Sequence, residues 1–275
     1  MFKLLWLTDL HLNFVPVEKV QNLSFDIIQE KPNAIVITGD ISEAPDLVNH
    51  LELLCLPLSY KGIKTYFVAG NHDYYHGSIE ALRTKLKAKF PNNGDIVWLT
   101  NTGVVSLTEK RALVGHDGWY DGGWPGYGDF FKSKLEMSDY YIIKELREST
   151  ITKQLMFDKI NELSEQNAKH IRQQLPEAFQ SHDTVYYATH VAPFPQNSRA
   201  PNGTMSDEDW MPTFCSKRAG EAFLEVMDKM PNNKQLIILC GHNHTYYEFK
   251  PRNNITCITG DATYRYPRIC GEFEF

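Results

Sequence analysis

Long hydrophobic runs are absent from this sequence of 275 residues. At the N-terminus only Leu4 to Leu7 follow Lys3 before Asp9 interrupts the apolar run, which is shorter than the core of a signal peptide. No later stretch approaches the roughly 20 apolar residues that a membrane-spanning helix needs. We therefore expect no membrane segment and no export signal.

Cysteine is scarce, and no two cysteines form a CxxC pair. The five are Cys55, Cys215, Cys240, Cys257 and Cys270. An odd number at wide spacing argues against a disulfide framework and against a zinc knot. Buried, reduced thiols and a cytoplasmic location are the expectation.

An excess of positive charge is also absent. The chain has 28 Lys and Arg against 34 Asp and Glu, a formal net charge of -6. This balance argues against a large basic surface, so nucleic acid and anionic membrane are not expected partners.

What the sequence does contain is a series of short apolar segments that each end in polar residues. Each segment has the length and the Val, Ile, Leu and aromatic content of a buried strand. The segments are 2–8, 34–38, 65–69, 184–189 and 235–240, and the residues that follow them are Asp9-Leu10-His11, Gly39-Asp40, Gly70-Asn71-His72-Asp73, His190 and Gly241-His242-Asn243-His244.

Helix-like patterns lie between these segments, over 17–30, 45–58, 78–90 and 217–230. Strands that alternate with helices predict an α/β fold, in which ligands collect at the carboxyl ends of the strands. We expect the polar fragments to recur at one edge of one sheet. Because they span most of the chain, a single domain over residues 1–275 is the expectation.

Short strands with little between them predict a second, partly antiparallel sheet packed on the first. They lie at 96–98, 104–107, 112–114, 246–249, 255–258 and 271–275. The last could be an edge strand or a dimer contact, so the oligomeric state stays open. Residues 130–180 read as a mainly helical insertion, either a solvated flank or a lid over the substrate, and 192–212 as a long, functional loop.

The polar residues offer carboxylate, imidazole and amide oxygen ligands in the number that two adjacent divalent cations need. We expect Asp40 to bridge the two ions, because one carboxylate can give an oxygen to each. The first ion would be held by Asp9, His11, Asp40 and His244, and the second by Asp40, Asn71, His190 and His242.

His72 neighbours a predicted ligand and would face the substrate. Together with Asp40 it is the expected catalytic residue: His72 would contact a phosphate oxygen and act as general acid for the leaving alkoxide. Asp73, Glu43 or Asp46 would orient its other ring nitrogen, and the sequence does not choose among them.

In this order the fragments resemble the calcineurin-like metallophosphoesterase superfamily over Asp9 to His244. The resemblance implies a four-layer α/β/β/α sandwich of two mixed sheets flanked by helices. It also implies a dinuclear centre of manganese, iron, zinc or nickel, and hydrolysis of a phosphate ester by a metal-bound hydroxide.

The superfamily's protein phosphatases carry an arginine soon after the Gly-Asp fragment, whereas Ile41-Ser42-Glu43-Ala44 stands here, which argues against protein substrates. A phosphorylated small molecule is therefore the expected partner, with phosphodiesters slightly ahead of phosphomonoesters. The alternatives are a nuclease of the same superfamily and a catalytically silent, protein-binding scaffold.

A glycine-rich segment after the strand at 112–114 carries three further candidates, His116, Trp119 and Tyr120. In one interpretation they line the substrate pocket, and the aromatic rings stack on a flat group of the substrate. In the other, equally weighted, they pack on the core.

Overall fold

The computed structural model describes residues Met1–Phe275 and consists of strands and helices that alternate through most of the chain. The strands are β1 (Lys3–Leu7), β2 (Ala34–Thr38), β3 (Lys64–Val68), β4 (Ile96–Trp98), β5 (Val105–Thr108), β6 (Arg111–Gly115), β7 (Thr184–Ala188), β8 (Gln235–Cys240), β9 (Tyr247–Arg252), β10 (Ile255–Thr259) and β11 (Gly271–Glu274). The helices are α1 (Val17–Gln29), α2 (Leu47–Ser59), α3 (Ile79–Lys89), α4 (Asp139–Ile142), α5 (Lys144–Arg147), α6 (Lys153–Ser181), α7 (Met211–Phe214) and α8 (Lys217–Met227).

The first sheet has the strand order β11-β1-β2-β3-β4. Strands β1 to β4 are parallel, and β11 pairs antiparallel with β1 as the edge strand. The sequence placed β4 and β11 in the second sheet. They join the first because α3 carries the chain over to the free edge of β3, and because the C-terminus returns to the free edge of β1.

The second sheet has the order β5-β6-β7-β8-β10-β9. Its four central strands are parallel, and β5 and β9 run antiparallel at the two edges. The prediction of a second, partly antiparallel sheet is confirmed. The long parallel segments β7 and β8 also belong to this sheet, since each is hydrogen-bonded to strands of it alone.

Three apolar clusters separate four layers. One lies under α1 to α3 on the first sheet, and another lies between the second sheet and the pair α6 and α8. The third fills the space between the sheets, where Trp6 and Val36 of the first sheet and Leu113 and Leu239 of the second are buried. The expected α/β/β/α sandwich of two mixed sheets is confirmed.

Residues 130–180 contribute to both outer layers. The N-terminal part of α6 packs on the first cluster through Ile160 and Leu163, while Ile171 and Leu175 pack on the second. Thr152 caps the helix by accepting a hydrogen bond from the Leu155 amide at 3.1 Å. The predicted helical segment therefore contributes buried side chains to the body of the fold.

All five cysteines are free, and only Cys270 is partly exposed. None of the helices combines the length and the apolar character that crossing a bilayer requires.

Candidate metal centre

The polar fragments meet where the carboxyl ends of five strands converge. Strands β1, β2 and β3 bring Asp9, Asp40 and Asn71 from the first sheet, and β7 and β8 bring His190 and His242 from the second. We expected one edge of one sheet. The site instead lies across two sheets, because their parallel strands end side by side.

Two groups of potential ligands share one carboxylate. Within each group the donor atoms lie within 4.8 Å of one another; the groups are Asp9, His11, Asp40 and His244, and Asp40, His190 and His242. Asp40 is the only residue common to both. This is the position that a bridging carboxylate must occupy.

The backbone of these residues is strained. Positive φ angles occur at Asp9 (48°), His11 (44°), Asp40 (50°), His242 (70°) and His244 (53°). The left-handed region costs a non-glycine residue about 1–2 kcal/mol, and such strain clusters at functional sites. These conformations occur in the loops that follow the strands, where the side chains must turn toward the site at the carboxyl ends of the two sheets.

Two glycines allow the loops to approach closely. Gly39 has a φ of 91°, and a Cβ atom there would lie 2.6 Å from His190 Nδ1. A Cβ atom on Gly70 would collide with the Asp40 carboxylate. Glycine is therefore required at both positions to bring Asp40, Asn71 and His190 together.

Backbone and side-chain donors fix both carboxylates. Asp40 Oδ1 accepts from the His72 amide at 2.9 Å and lies 3.2 Å from His190 Nε2. Asp9 accepts from the His242 amide at 3.0 Å and from the Thr8 hydroxyl at 2.6 Å, and lies 3.2 Å from His244 Nε2. The carboxylates are thus oriented before any ligand arrives.

The two histidines of the second group are held by backbone carbonyls through opposite ring nitrogens. His190 Nδ1 donates to the Thr38 carbonyl at 2.8 Å, so its Nε2 faces Asp40. His242 Nε2 donates to the Thr213 carbonyl at 3.0 Å, so its Nδ1 faces the site. Such bonds are the usual way in which proteins orient metal-binding imidazoles.

Asn71 presents its amide oxygen to the site because Asp139 binds its amide nitrogen. Asn71 Nδ2 donates to Asp139 Oδ1 at 3.0 Å, which leaves Asn71 Oδ1 at 3.1 Å from His190 Nε2 and 3.0 Å from His242 Nδ1. A carboxylate can only accept, so the orientation of the amide is decided. Sequence reasoning missed Asp139, since a single aspartate 68 residues further along has no motif to mark it.

The same carboxylate holds two tyrosines. The Tyr75 hydroxyl donates to Asp139 Oδ1 at 2.6 Å, and the Tyr120 hydroxyl donates to Oδ2 at 2.8 Å. Tyr75 in turn stacks on the His72 ring, with centroids 4.1 Å apart. Asp139 is fully buried, so it links a predicted ligand to the support of the predicted general acid.

His72 lies beside Asp40, with Nε2 at 3.9 Å from Asp40 Oδ2, and its side chain is 21% exposed towards the cleft. The His72 ring makes no hydrogen bond to Asp73, Glu43 or Asp46, the three carboxylates proposed to orient it, and Asp46 is exposed. Asp73 accepts from the Ser42 and Gly70 amides at 2.7 and 2.8 Å, and Glu43 lies beside His76. Stacking on Tyr75 positions the His72 ring instead.

The carboxylates dominate the electrostatics of the site. Although burial opposes ionisation of Asp9, His244 and His190 lower its pKa to about 2, and His190 and His72 likewise hold the pKa of Asp40 well below its usual value. Burial lowers the pKa of His11 and of His242 to about 4. Although burial acts in the opposite direction, Asp40 raises the pKa of His190 to about 10, and Asp9 raises the pKa of His244 above its usual value. Two buried carboxylates that remain ionised form a site that attracts cations.

His116, Trp119 and Tyr120 do not line the cleft. All three are buried. Trp119 packs between Tyr74 and Tyr120, and the Tyr120 ring lies 6.2 Å from the His242 ring between centroids. This corrects the pocket-lining interpretation: the strand before them lies inside the second sheet, so the loop enters the interior. The alternative, packing on the core, describes their placement.

In that segment Asp117 is fully buried and accepts hydrogen bonds from several distant residues. Its carboxylate accepts from the Ala69 amide at 2.8 Å, the Trp98 indole at 2.9 Å and the Tyr74 hydroxyl at 2.7 Å. Ala69 directly precedes Gly70 and Asn71, so Asp117 anchors the loop that carries a predicted ligand.

The burial of His116 predicts a loss of stability in acid. Burial lowers its pKa to about 3, whereas in the unfolded chain it titrates near 6.5. The unfolded state therefore gains a proton first as the pH falls below 6.5, and by pH 5 this costs about 2 kcal/mol of unfolding free energy. The free energy of unfolding, measured by urea denaturation, should fall between pH 7 and pH 5 in wild type. In His116→Asn this fall should be smaller by about 2 kcal/mol. An equal loss in both proteins would contradict this assignment, and His76→Asn, at an exposed histidine, is the control.

A cleft of about 680 Å³ opens over the two ligand groups. Part of the predicted long loop forms one wall through Arg199 and Trp210, and Phe214 of α7 continues it. Residues 135–138 and Tyr264 border the remainder. The long loop thus borders the site as expected, whereas the aromatic side chains of its wall were not foreseen.

Comparison with known proteins agrees with this geometry. Residues 2–260 match the family model of the calcineurin-like phosphoesterases. A dimetal phosphatase from Danio rerio superposes with a TM-score of 0.60 at 15% identity, covering 96% of this chain and 88% of that one. The TT1561 protein of Thermus thermophilus gives 0.51 at 8% identity, covering 94% and 89%. Among curated protein sequences, none matches. Since the family model spans nearly the whole chain, the protein belongs to the calcineurin-like phosphoesterase family, whose members are metal-dependent hydrolases of phosphate esters.

Proposed function

We propose that the protein hydrolyses a small-molecule phosphodiester with two metal ions held at the carboxyl ends of the strands of the two sheets. One observation carries the proposal: Asp40 belongs to both groups of ligand atoms. Two separate sites would need two carboxylates, whereas a shared one suits a pair of adjacent cations.

The residues present fit such a pair. His11 Nε2 and His244 Nε2 lie 3.2 Å apart, and His11 Nδ1 has no hydrogen-bond partner although it is buried. Two imidazole nitrogens facing one another beside ionised carboxylates are suited to a cation. Mixed nitrogen and oxygen ligands suit manganese, iron, zinc and nickel alike. When bound, the metal ions would polarise the phosphoryl oxygens and lower the pKa of a bound water.

The chain's own residues would supply positioning and a proton. His72 faces the cleft next to Asp40, where its ring can donate a hydrogen bond to a phosphoryl oxygen and then a proton to the leaving alkoxide. Tyr75 and Asp139 hold this ring and the Asn71 amide in one hydrogen-bonded unit.

The charges around the cleft favour a diester over a monoester. Besides the ligands, the lining has one permanent cation, Arg199, and two carboxylates, Glu136 and Asp207. A monoester is largely dianionic at pH 7, whereas a diester carries a single charge and is repelled less. The single arginine also argues against a nuclease, which needs several phosphate contacts.

Hydrolysis of bis-p-nitrophenyl phosphate and of p-nitrophenyl phosphate tests the proposal. Chelator-stripped protein refilled with manganese should hydrolyse both compounds, with the higher kcat/KM for the diester, and the stripped protein should hydrolyse neither. A higher kcat/KM for the monoester would contradict the diester preference. Turnover that persists without metal would contradict the mechanism.

Loss of Asp139 should weaken metal binding. In Asp139→Ala the Asn71 amide loses the acceptor that fixes its orientation, and the groups that orient metal ligands are typically worth about 10–100-fold in metal affinity. In isothermal titration with manganese, the affinity for the ion that Asn71 would bind should decrease more than the affinity for the other ion. Asp139→Asn, which keeps an acceptor oxygen, should recover part of it, and Asp158→Ala on the exposed face of α6 serves as control. Unchanged affinity for both ions would contradict the role.

A further inference from the structure

The cleft is much larger than the phosphoryl group that the ligands would bind. Its volume of about 680 Å³ falls in the range of roughly 300–1,000 Å³ typical of sites for organic ligands. A phosphoryl group with small substituents would leave most of this space to water. The volume therefore indicates a substrate with a sizeable organic group.

An aromatic wall leads outward from the metal centre. The Phe214 ring lies 4.7 Å from the His242 ring, and the Trp210 ring packs edge-on against Phe214 at 5.2 Å. Trp210 is 44% exposed and borders the cleft. The rings thus extend from a ligand of the second group to the open part of the cleft.

The local backbone fixes this wall. Asp207 Oδ1 accepts hydrogen bonds from the Asp209 and Trp210 amides at 3.0 and 3.1 Å, and a short antiparallel bridge joins Arg199 to Met205. Trp210 directly precedes α7, whose Thr213 carbonyl accepts from His242. The position of the indole is therefore tied to that of a predicted metal ligand.

We propose that Trp210 and Phe214 form a subsite for a flat aromatic or heteroaromatic group of the phosphate ester. The inference rests on the proposed function and adds the class of organic group. An exposed indole with a fixed edge-to-face neighbour offers a surface for stacking, and a flat group placed there removes apolar surface from water on both sides. One of the two interpretations of the sequence gave this stacking role to Trp119 and Tyr120.

Two phosphonates that are not hydrolysed isolate this subsite. Phenylphosphonate and methylphosphonate offer the metal centre the same anionic group, but only the first has a ring. Isothermal titration of manganese-loaded protein should show phenylphosphonate binding roughly tenfold more tightly than methylphosphonate. In Trp210→Ala this ratio should fall at least about threefold, while the Kd of methylphosphonate stays unchanged. Trp210→Phe should keep most of the preference.

Tyr60→Ala, at an exposed aromatic residue outside the cleft, is the matched control and should keep the wild-type ratio. Equal binding of the two phosphonates by wild type, or an unchanged ratio in Trp210→Ala, would overturn the subsite.

Methyl p-nitrophenyl phosphate separates the two proposals. If this ester is hydrolysed but the two phosphonates bind equally, the proposed activity is supported and the aromatic subsite is contradicted. If no ester is hydrolysed but phenylphosphonate still binds more tightly than methylphosphonate, only the proposed activity is contradicted.

Discussion

Replacement of His72 by alanine is expected to lower kcat by about 10²–10⁴-fold while both metal ions remain bound. The ring lies next to the shared carboxylate and faces the cleft, but it belongs to neither group of ligand atoms. Its loss would remove the proposed proton donor and leave the proposed metal ligands in place. Steady-state kinetics and metal analysis of the same preparation measure the two effects together.

The leaving group distinguishes a general acid from a simple phosphate contact. p-Nitrophenolate leaves with little need of a proton, whereas an alkoxide needs one, so His72→Ala should be impaired far more towards alkyl esters. His76→Ala, at an exposed histidine four residues away, should behave as wild type. Equal losses for both kinds of ester would contradict the general-acid role, and loss of metal would show that the residue acts as a ligand.

Replacement of Asp40 by asparagine is expected to abolish binding of at least one of the two proposed metal ions. The amide keeps the shape of the carboxylate but loses its charge and offers only one oxygen. Because two metal ions contribute several kcal/mol of transition-state stabilisation, kcat/KM should fall by about 10³-fold or more. Metal analysis after equilibrium dialysis, followed by kinetics at saturating manganese, measures this result.

Asp46→Asn makes the same chemical change at an exposed carboxylate six residues further along and serves as the matched control. Circular dichroism of both variants verifies that the fold is retained. If Asp40→Asn bound two manganese ions with wild-type affinity, Asp40 could not be the shared ligand.

The layered fold and the residues that meet in the site were predictable because the signal is local. Buried parallel strands are apolar throughout, and Asp9, Asp40, Asn71, His190 and His242 each follow such a strand within a few residues. Parallel strands end at one side of a sheet, which brings Asp9, Asp40 and Asn71 together in the first sheet and His190 and His242 together in the second. This signal did not show that the two groups lie in different sheets whose edges adjoin. Family resemblance supplied the arrangement of the two sheets.

The remaining features depend on packing between distant segments. Asp139, from the helical stretch after residue 130, reaches Asn71, and nothing in the sequence around it marks a partner 68 residues earlier. Likewise, Trp119 is buried and Trp210 is exposed because of how their loops pack against segments distant in the sequence. Periodicity does not encode that choice.

A manganese titration of the chelator-stripped protein, monitored by calorimetry and by hydrolysis of bis-p-nitrophenyl phosphate, tests the two-metal centre most directly. The shared Asp40 carboxylate predicts two ions per chain and activity that follows occupancy of the second. A single ion at saturation, or activity that is complete after the first equivalent, would contradict the account.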